Sequence, residues 1–232
     1  MITRRTQLCD AGSPAHARKS TGAFVALAAM VIGVGCSSST GTTQDSVDLG
    51  IFSETAPSLR PDVETFFGTF AGAGGVVSEF RSDASTKQEG SSSLRASLRS
   101  TGRGFAGWFV AWGDASRYSD EKFTRDMSRF AGGSLRFWVI TPVDLDVGVR
   151  SGNVSAGVET SKTLLSQLGV APGASWKRAC LPLRPLAGAS PLADLARSKI
   201  LFVVAVSERS GGTGGSPVTV WIDDVRWDTR PC

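Results

Sequence analysis

The chain has 232 residues, among them 25 Lys or Arg, 21 Asp or Glu, four Cys and one His. Four of the basic residues (Arg4, Arg5, Arg18, Lys19) and one acid (Asp10) precede residue 36, so the rest is close to neutral and offers no electrostatic case for a nucleic-acid partner. The single histidine, His16, lies in that same leader, so the remaining chain cannot build a Ser-His-Asp or Cys-His nucleophile or a histidine-ligated zinc site.

The leader reads as an export signal. Residues 1–22 are polar and basic, residues 23–35 form an apolar run, and small residues lead into Cys36. The run is shorter than the roughly 20 apolar residues that a membrane span needs. Gly33-Val34-Gly35-Cys36 resembles the lipobox of bacterial lipoproteins, with Gly33 where that family usually carries Leu. The resemblance implies a lipidated Cys36 and an exported domain anchored by acyl chains in the cell envelope, periplasmic or surface-exposed. The other reading is an ordinary signal peptide with a chance Cys. Residues 37–56 are expected to be a flexible Ser/Thr/Gly tether and residues 57–232 one folded domain. With Cys9 and Cys36 set aside, Cys180 and Cys232 remain. They are expected to pair in an oxidising compartment, the alternative being two free thiols.

Beyond the tether, short runs alternate apolar and polar residues between glycine, proline and polar turns. Strands are expected over residues 62–67, 76–80, 92–98, 105–112, 135–140, 145–150, 175–183, 200–206 and 218–227, with residues 68–75 a glycine-rich turn. Residues 160–168 fit either a short helix or an irregular strand, and residues 192–196 one helical turn. Short strands in this number, with little helix, predict an all-β sandwich or jelly roll.

The last strand carries an oddity. In Val220-Trp221-Ile222-Asp223-Asp224-Val225-Arg226-Trp227 the apolar phase changes at the Asp pair, as it does at a β-bulge. Two carboxylates inside an apolar strand need a partner, and a hard cation such as calcium supplies one. The alternative is two exposed Asp at a strand end.

Four segments, in order, carry a resemblance. They are Glu89-Gly90-Ser91-Ser92-Ser93-Leu94-Arg95; Asp126-Met127-Ser128 with Gly132-Gly133-Ser134-Leu135-Arg136-Phe137-Trp138; Trp176 through Leu181-Pro182-Leu183; and Ile222-Asp223-Asp224-Val225. Together they resemble the jelly-roll carbohydrate-binding modules with a galactose-binding-like fold, over most of residues 60–228. The resemblance implies a β-sandwich that binds a polysaccharide or other glycan without catalysis. It also implies a structural Ca2+ where the first strand, the loop at residues 87–90 and the last strand meet. The matching residues are Asp223, Asp224, Glu89 and Glu64, although Phe66-Phe67 stands where family members often have Phe-Glu.

Alternation supplies a candidate face. Leu135, Phe137 and Val139 suit the core and leave Arg136 and Trp138 outward; Leu145, Val147 and Val149 likewise leave Asp146 and Arg150. Sugars stack their C–H faces on flat aromatics and need polar partners at their hydroxyl rims. Trp138 with Arg136, Asp146 and Arg150 would provide both, and Trp108 and Trp112 are further candidates unless they belong to the core. Two other functions stay open. One is the same fold docking an envelope protein. The other is a small polysaccharide hydrolase using carboxylates such as Glu79, Glu159 or Glu208, which needs no histidine but has no motif around any of them.

Overall fold

The computed structural model describes residues 49–52, 65–113, 124–151, 160–184 and 194–232. His16, Cys36, Glu64 and Glu159 lie outside these residues, as do the expectations that rest on them. The strands are β1 (Leu49–Phe52), β2 (Thr65–Gly72), β3 (Val76–Asp83), β4 (Ser93–Arg99), β5 (Phe105–Trp112), β6 (Ser134–Thr141), β7 (Asp146–Ser151), β8 (Thr160–Leu164), β9 (Gly173–Pro182), β10 (Ser198–Val206) and β11 (Val218–Asp228). They form two antiparallel sheets. One runs β3-β4-β11-β6-β9 with β1 beside the far half of β11, and is called the β11 sheet below; the other, the β10 sheet, runs β2-β5-β10-β7-β8. This is the expected all-β jelly-roll sandwich.

Period-two alternation decides what each strand buries. Leu135, Phe137 and Val139 of β6 and Val147 and Val149 of β7 enter the core, as do Ala106, Trp108, Val110 and Trp112 of β5. Trp108 lies between Phe80 and Phe202, with ring centroids 5.3 and 5.5 Å away. Phe202 meets Phe137 from the opposite sheet at 4.9 Å. Rings of this kind bury about 150–250 Å² each and dominate core energetics. Trp227 is fully buried and donates its indole N–H to the Leu201 carbonyl at 3.0 Å, tying β11 to β10 across the sandwich. Trp108 and Trp112, candidates for ligand contact, are 1% and 4% exposed. They are core residues, and the outward positions of β5 are the other set: Phe105, Gly107, Phe109 and Ala111.

Two further differences from the sequence reading have local causes. Residues 68–72 are strand, not turn, because Gly68 and Gly72 lie beneath the Phe109 and Phe105 rings, where a Cβ would come within 2.3 Å of ring carbon. The turn is confined to residues 73–75, with Gly74 at φ +80°. Residues 49–52, placed in the tether, pair with Arg226, Trp227 and Val225 of β11 and set Leu49 into the core. A four-residue strand inside a Ser/Thr/Gly-rich stretch has too short a pattern to stand out.

The end of the chain is fastened to the β11 sheet. Cys180 of β9 is bonded to Cys232, with Cα atoms 5.8 Å apart. Arg136 donates to the Pro231 carbonyl at 2.8 Å and Ser134 Oγ to the Arg230 carbonyl at 2.7 Å.

Candidate functional site

The face expected from alternation is divided by the topology. β6 belongs to the β11 sheet and β7 to the β10 sheet, so Arg136 and Trp138 point out of one side of the sandwich while Asp146 and Arg150 point out of the other. Two sheets packed about 10 Å apart separate them, and the four residues form no common site. Arg136 is also engaged internally: it donates to Ser134 Oγ and the Pro231 carbonyl and lies 3.4 Å from the Asp228 carboxylate. Trp138 is half-buried, in register with Asp223 on one side and Arg178 on the other.

The outer face of the β10 sheet is built differently. Register places Phe66 beside Ala111, Gly68 beside Phe109, Phe70 beside Gly107 and Gly72 beside Phe105. Each phenylalanine therefore faces a glycine or alanine across the strand pair, and its ring can lie over the neighbouring backbone. The rings form one continuous row: Phe66–Phe109 centroids are 5.7 Å apart edge-to-face, Phe70–Phe109 6.3 Å and Phe70–Phe105 6.1 Å. Ile200 and Val203 of β10 continue this apolar surface. Phe105 is 43% exposed, and with Phe67 it is one of the large hydrophobic side chains left to solvent among the described residues. Phe67 is not part of the row; it points inward at the sheet edge against Phe80.

Charged groups border the row. In register beyond Val203 lie Gly148 and then Lys162; beyond Ala205 lie Asp146 and then Leu164; and Ile200 lies beside Arg150. The Lys162 ammonium stands 6.0 Å from the Phe70 ring centroid, a cation–π distance. Asp146 is 4% exposed; one carboxylate oxygen accepts a hydrogen bond from Ser207 Oγ, and the other lies 3.6 Å from Arg209 Nε. Burial pushes the Lys162 pKa below its ordinary value and Arg209 pushes it the same way, with Asp146 opposing them. Phe70, Phe105, Asp146, Lys162, Ser207 and Arg209 line a pocket of about 330 Å³ at this end of the row.

The β11 sheet carries a larger hollow, about 630 Å³, between Ile140, Pro142, Pro172 and Trp221. Its aromatic wall is committed, since Trp221 donates its indole N–H to Asp83 at 3.0 Å and Arg95 stands 5.7 Å over its ring. The Ser85 hydroxyl, followed by that indole, holds the Asp83 carboxyl far below the usual carboxylate range. Size alone therefore favours this hollow, while chemistry favours the phenylalanine row.

The Asp pair of β11 has found its partners. Asp223 pairs with Trp138 and Arg226 with Arg136, so one extra residue is accommodated between them, the expected bulge. Asp224 takes it up at φ +46°, a region that Asp tolerates better than most residues. One Asp223 oxygen accepts from the backbone N–H groups of Gln88 and Glu89 at 2.7 and 2.9 Å, and the other from the N–H of Asp224 at 2.7 Å. Asp224 lies 3.1 Å from the Arg226 guanidinium. Asp223 does meet the loop at residues 87–90, but through backbone amides. No cluster of three or more His, Cys, Asp or Glu side chains suited to a metal occurs among the described residues. Among the described residues Asp223, Asp224 and Glu89 do not by themselves make a calcium donor set, and the fourth expected ligand, Glu64, lies outside those residues.

Sequence reasoning missed Phe66, Phe70, Phe105, Phe109, Lys162 and Arg209. A signal was present in Phe66-Phe67-Gly68-Thr69-Phe70-Ala71-Gly72 and Phe105-Ala106-Gly107-Trp108-Phe109, where aromatics and glycines alternate on one face at period two.

No curated protein matches the chain. The solved structure of a family 30 carbohydrate-binding module superposes with a TM-score of 0.56 at 19% identity, covering 80% of this chain and 89% of that one, and shows the fold. The family 11 module of a cellulosomal cellulase of Clostridium thermocellum superposes at 0.46 with 13% identity, over 72% and 88% of the two chains. A family 11 module of the same organism, solved with a β-1,3-1,4-mixed-linked tetrasaccharide, gives 0.44 and 15% over 69% and 86%. The family model described as carbohydrate binding domain 30 matches residues 58–229. With the sandwich from β2 onward inside that match, the chain belongs to the carbohydrate-binding domain 30 family and is a binding domain rather than an enzyme.

Proposed function

We propose that this domain holds a polysaccharide chain along the outer face of the β10 sheet, and does so at the cell envelope from a lipid anchor on Cys36. The observation that supports the binding face is the row of Phe66, Phe109, Phe70 and Phe105 lying over Gly68 and Gly72. Pyranose C–H faces pack on such rings as they leave water, and a few polar groups fix the orientation of what is bound. Here those groups are Lys162, Asp146 and Arg209 at one end of the row. Phe105, 43% exposed, presents the most open ring of the row, whereas Phe109 is 5% exposed.

Electrophoresis through gels containing soluble polysaccharides tests the face. The wild type should be retarded by at least one polymer, and Phe105→Ala should weaken that binding at least about tenfold, or ~1.4 kcal/mol. Thermal stability should change little, because Phe105 is 43% exposed. A Phe105→Ala protein that binds like the wild type overturns the face, and a wild type retarded by no polysaccharide overturns the function. The anchor has its own test, in which the wild type from expressing cells partitions into a detergent phase and Cys36→Ala stays in the aqueous phase. A wild type found in the aqueous phase overturns the anchor.

A further inference from the structure

The pocket beside the phenylalanine row is out of electrostatic balance. Lys162 and Arg209 bring two positive charges and Asp146 one negative charge. The Lys162 ammonium is half-buried, and among the described residues its N–H groups have no hydrogen-bond acceptor and no carboxylate within 4.0 Å; it stands over the Phe70 ring. Arg209 makes long contacts to the Lys162 carbonyl and to Gln167 Oε1, both at 3.3 Å, and pairs with the Asp146 carboxylate at 3.6 Å. The Asp146 oxygen that faces Arg209 is buried without any hydrogen bond. Partly desolvated groups with unused donors are costly, and the cost is removed when an acceptor of opposite charge arrives.

We propose that this pocket is a subsite for an anionic sugar, one whose carboxylate or sulfate group lies between the Lys162 ammonium and the Arg209 guanidinium. The inference rests on the polysaccharide face above and narrows its ligand to acidic polymers. Lys162 supplies a point charge at the edge of the ring row, and Arg209 a planar fork that can meet two oxygens of one anionic group. Asp146 is a positioning residue: through Ser207 and Arg209 it holds the fork at the pocket wall, and its own charge stays beneath the ligand. At about 330 Å³ the pocket is near the lower end of the range for ligand sites, so it admits one substituted sugar unit while the rest of the polymer lies on the phenylalanines.

The test measures binding of the wild type, Lys162→Met, Phe105→Ala and Lys87→Met to polygalacturonate, dextran sulfate and a neutral β-glucan, at low and at 0.5 M salt. Lys162→Met keeps an unbranched side chain of nearly the same reach and removes its charge; Lys87, exposed on the loop after β3, controls for net charge. The wild type should bind an anionic polymer at least about tenfold more tightly than the neutral one at low salt, and the preference should shrink as salt screens it. Polygalacturonate alone would identify a carboxylate, dextran sulfate alone a sulfate, and both an anion in general. Lys162→Met should lose the preference, its binding of the anionic polymer falling at least about tenfold further than its binding of the neutral glucan, and Lys87→Met should keep it. Equal or tighter binding of the neutral polymer, an unchanged preference in Lys162→Met, or an equal loss in Lys87→Met overturns the subsite. In each of those cases, weakened neutral-glucan binding by Phe105→Ala leaves the face standing, whereas Phe105→Ala without effect removes both.

Discussion

The two outer faces of the sandwich are made from the same alternation yet differ in what their polar groups do. On the β11 sheet they are turned to neighbours: Arg136 to Asp228 and the Pro231 carbonyl, Trp221 to Asp83, and Asp223 to three backbone amides. On the β10 sheet a row of rings ends in a half-buried ammonium and a carboxylate oxygen without a hydrogen bond. Outward direction alone thus says little about function. The telling quantity is whether the outward group already has a partner, since a group engaged internally must break that bond before it can meet a ligand. Changes on the β11 face should therefore fall on stability, and changes on the β10 face on binding.

The largest effect tests the first half of that statement. Cys180 and Cys232 are separated by 52 positions, and opening such a loop should cost about 4 kcal/mol in chain entropy. Replacing both by Ser should lower the melting temperature of the oxidised protein sharply while polysaccharide binding at low temperature is kept. A double variant that melts like the wild type would show that the tail contributes little to the β11 face.

Asp223→Ala comes next. It removes the acceptor for three backbone N–H groups and should cost about 3 kcal/mol in denaturant unfolding. In this account the amides, not a cation, hold the carboxylate, so a chelator should leave the wild-type melt unchanged. A chelator-induced drop that calcium restores would overturn this account and bring back the metal expected from the Asp pair.

Acid should weaken the same face. Asp228 is fully buried; burial raises its pKa, but Arg230, with Arg136 adding to it, outweighs burial and leaves the carboxyl below its ordinary value. Asp83 is lowered too, chiefly by the Ser85 hydroxyl. A carboxyl lowered in the folded state stabilises the protein above its unfolded pKa of about 3.9 and loses that contribution as pH falls through the folded value. The melting temperature should therefore decline below about pH 4, and Asp228→Asn should flatten part of that decline. An identical slope in the variant would show that Asp228 is not among the groups responsible.

How much of this was readable beforehand follows from what alternation encodes. It placed β5 at residues 105–112 and sorted Leu135, Phe137 and Val139 from Arg136 and Trp138, because burial on one face imposes period two. It located the bulge at Asp223-Asp224 for the same reason. Alternation separates inside from outside but does not say which sheet a strand joins. β6 and β7 are consecutive in sequence and lie in opposite sheets, so alternation alone joins Arg136 and Trp138 to Asp146 and Arg150 where the fold separates them. The rings over Gly68 and Gly72 were hidden because glycine is ordinarily a turn residue, and its role beneath a ring depends on a partner strand more than thirty residues away.

The smallest expected effect is the sharpest test of the comparison. Trp138 is the outward tryptophan of β6, half-buried and in register with Asp223 and Arg178. If the faces differ as described, Trp138→Ala loses only local packing and leaves polysaccharide binding within about twofold of the wild type, under ~0.5 kcal/mol. Phe105→Ala on the opposite face should lose at least about tenfold in the same gels. Binding that falls with Trp138→Ala and survives Phe105→Ala would move the platform to the β11 sheet. The 630 Å³ hollow beside Trp221 would then be the place to look for the sugar, and the charges around Lys162 would need another explanation.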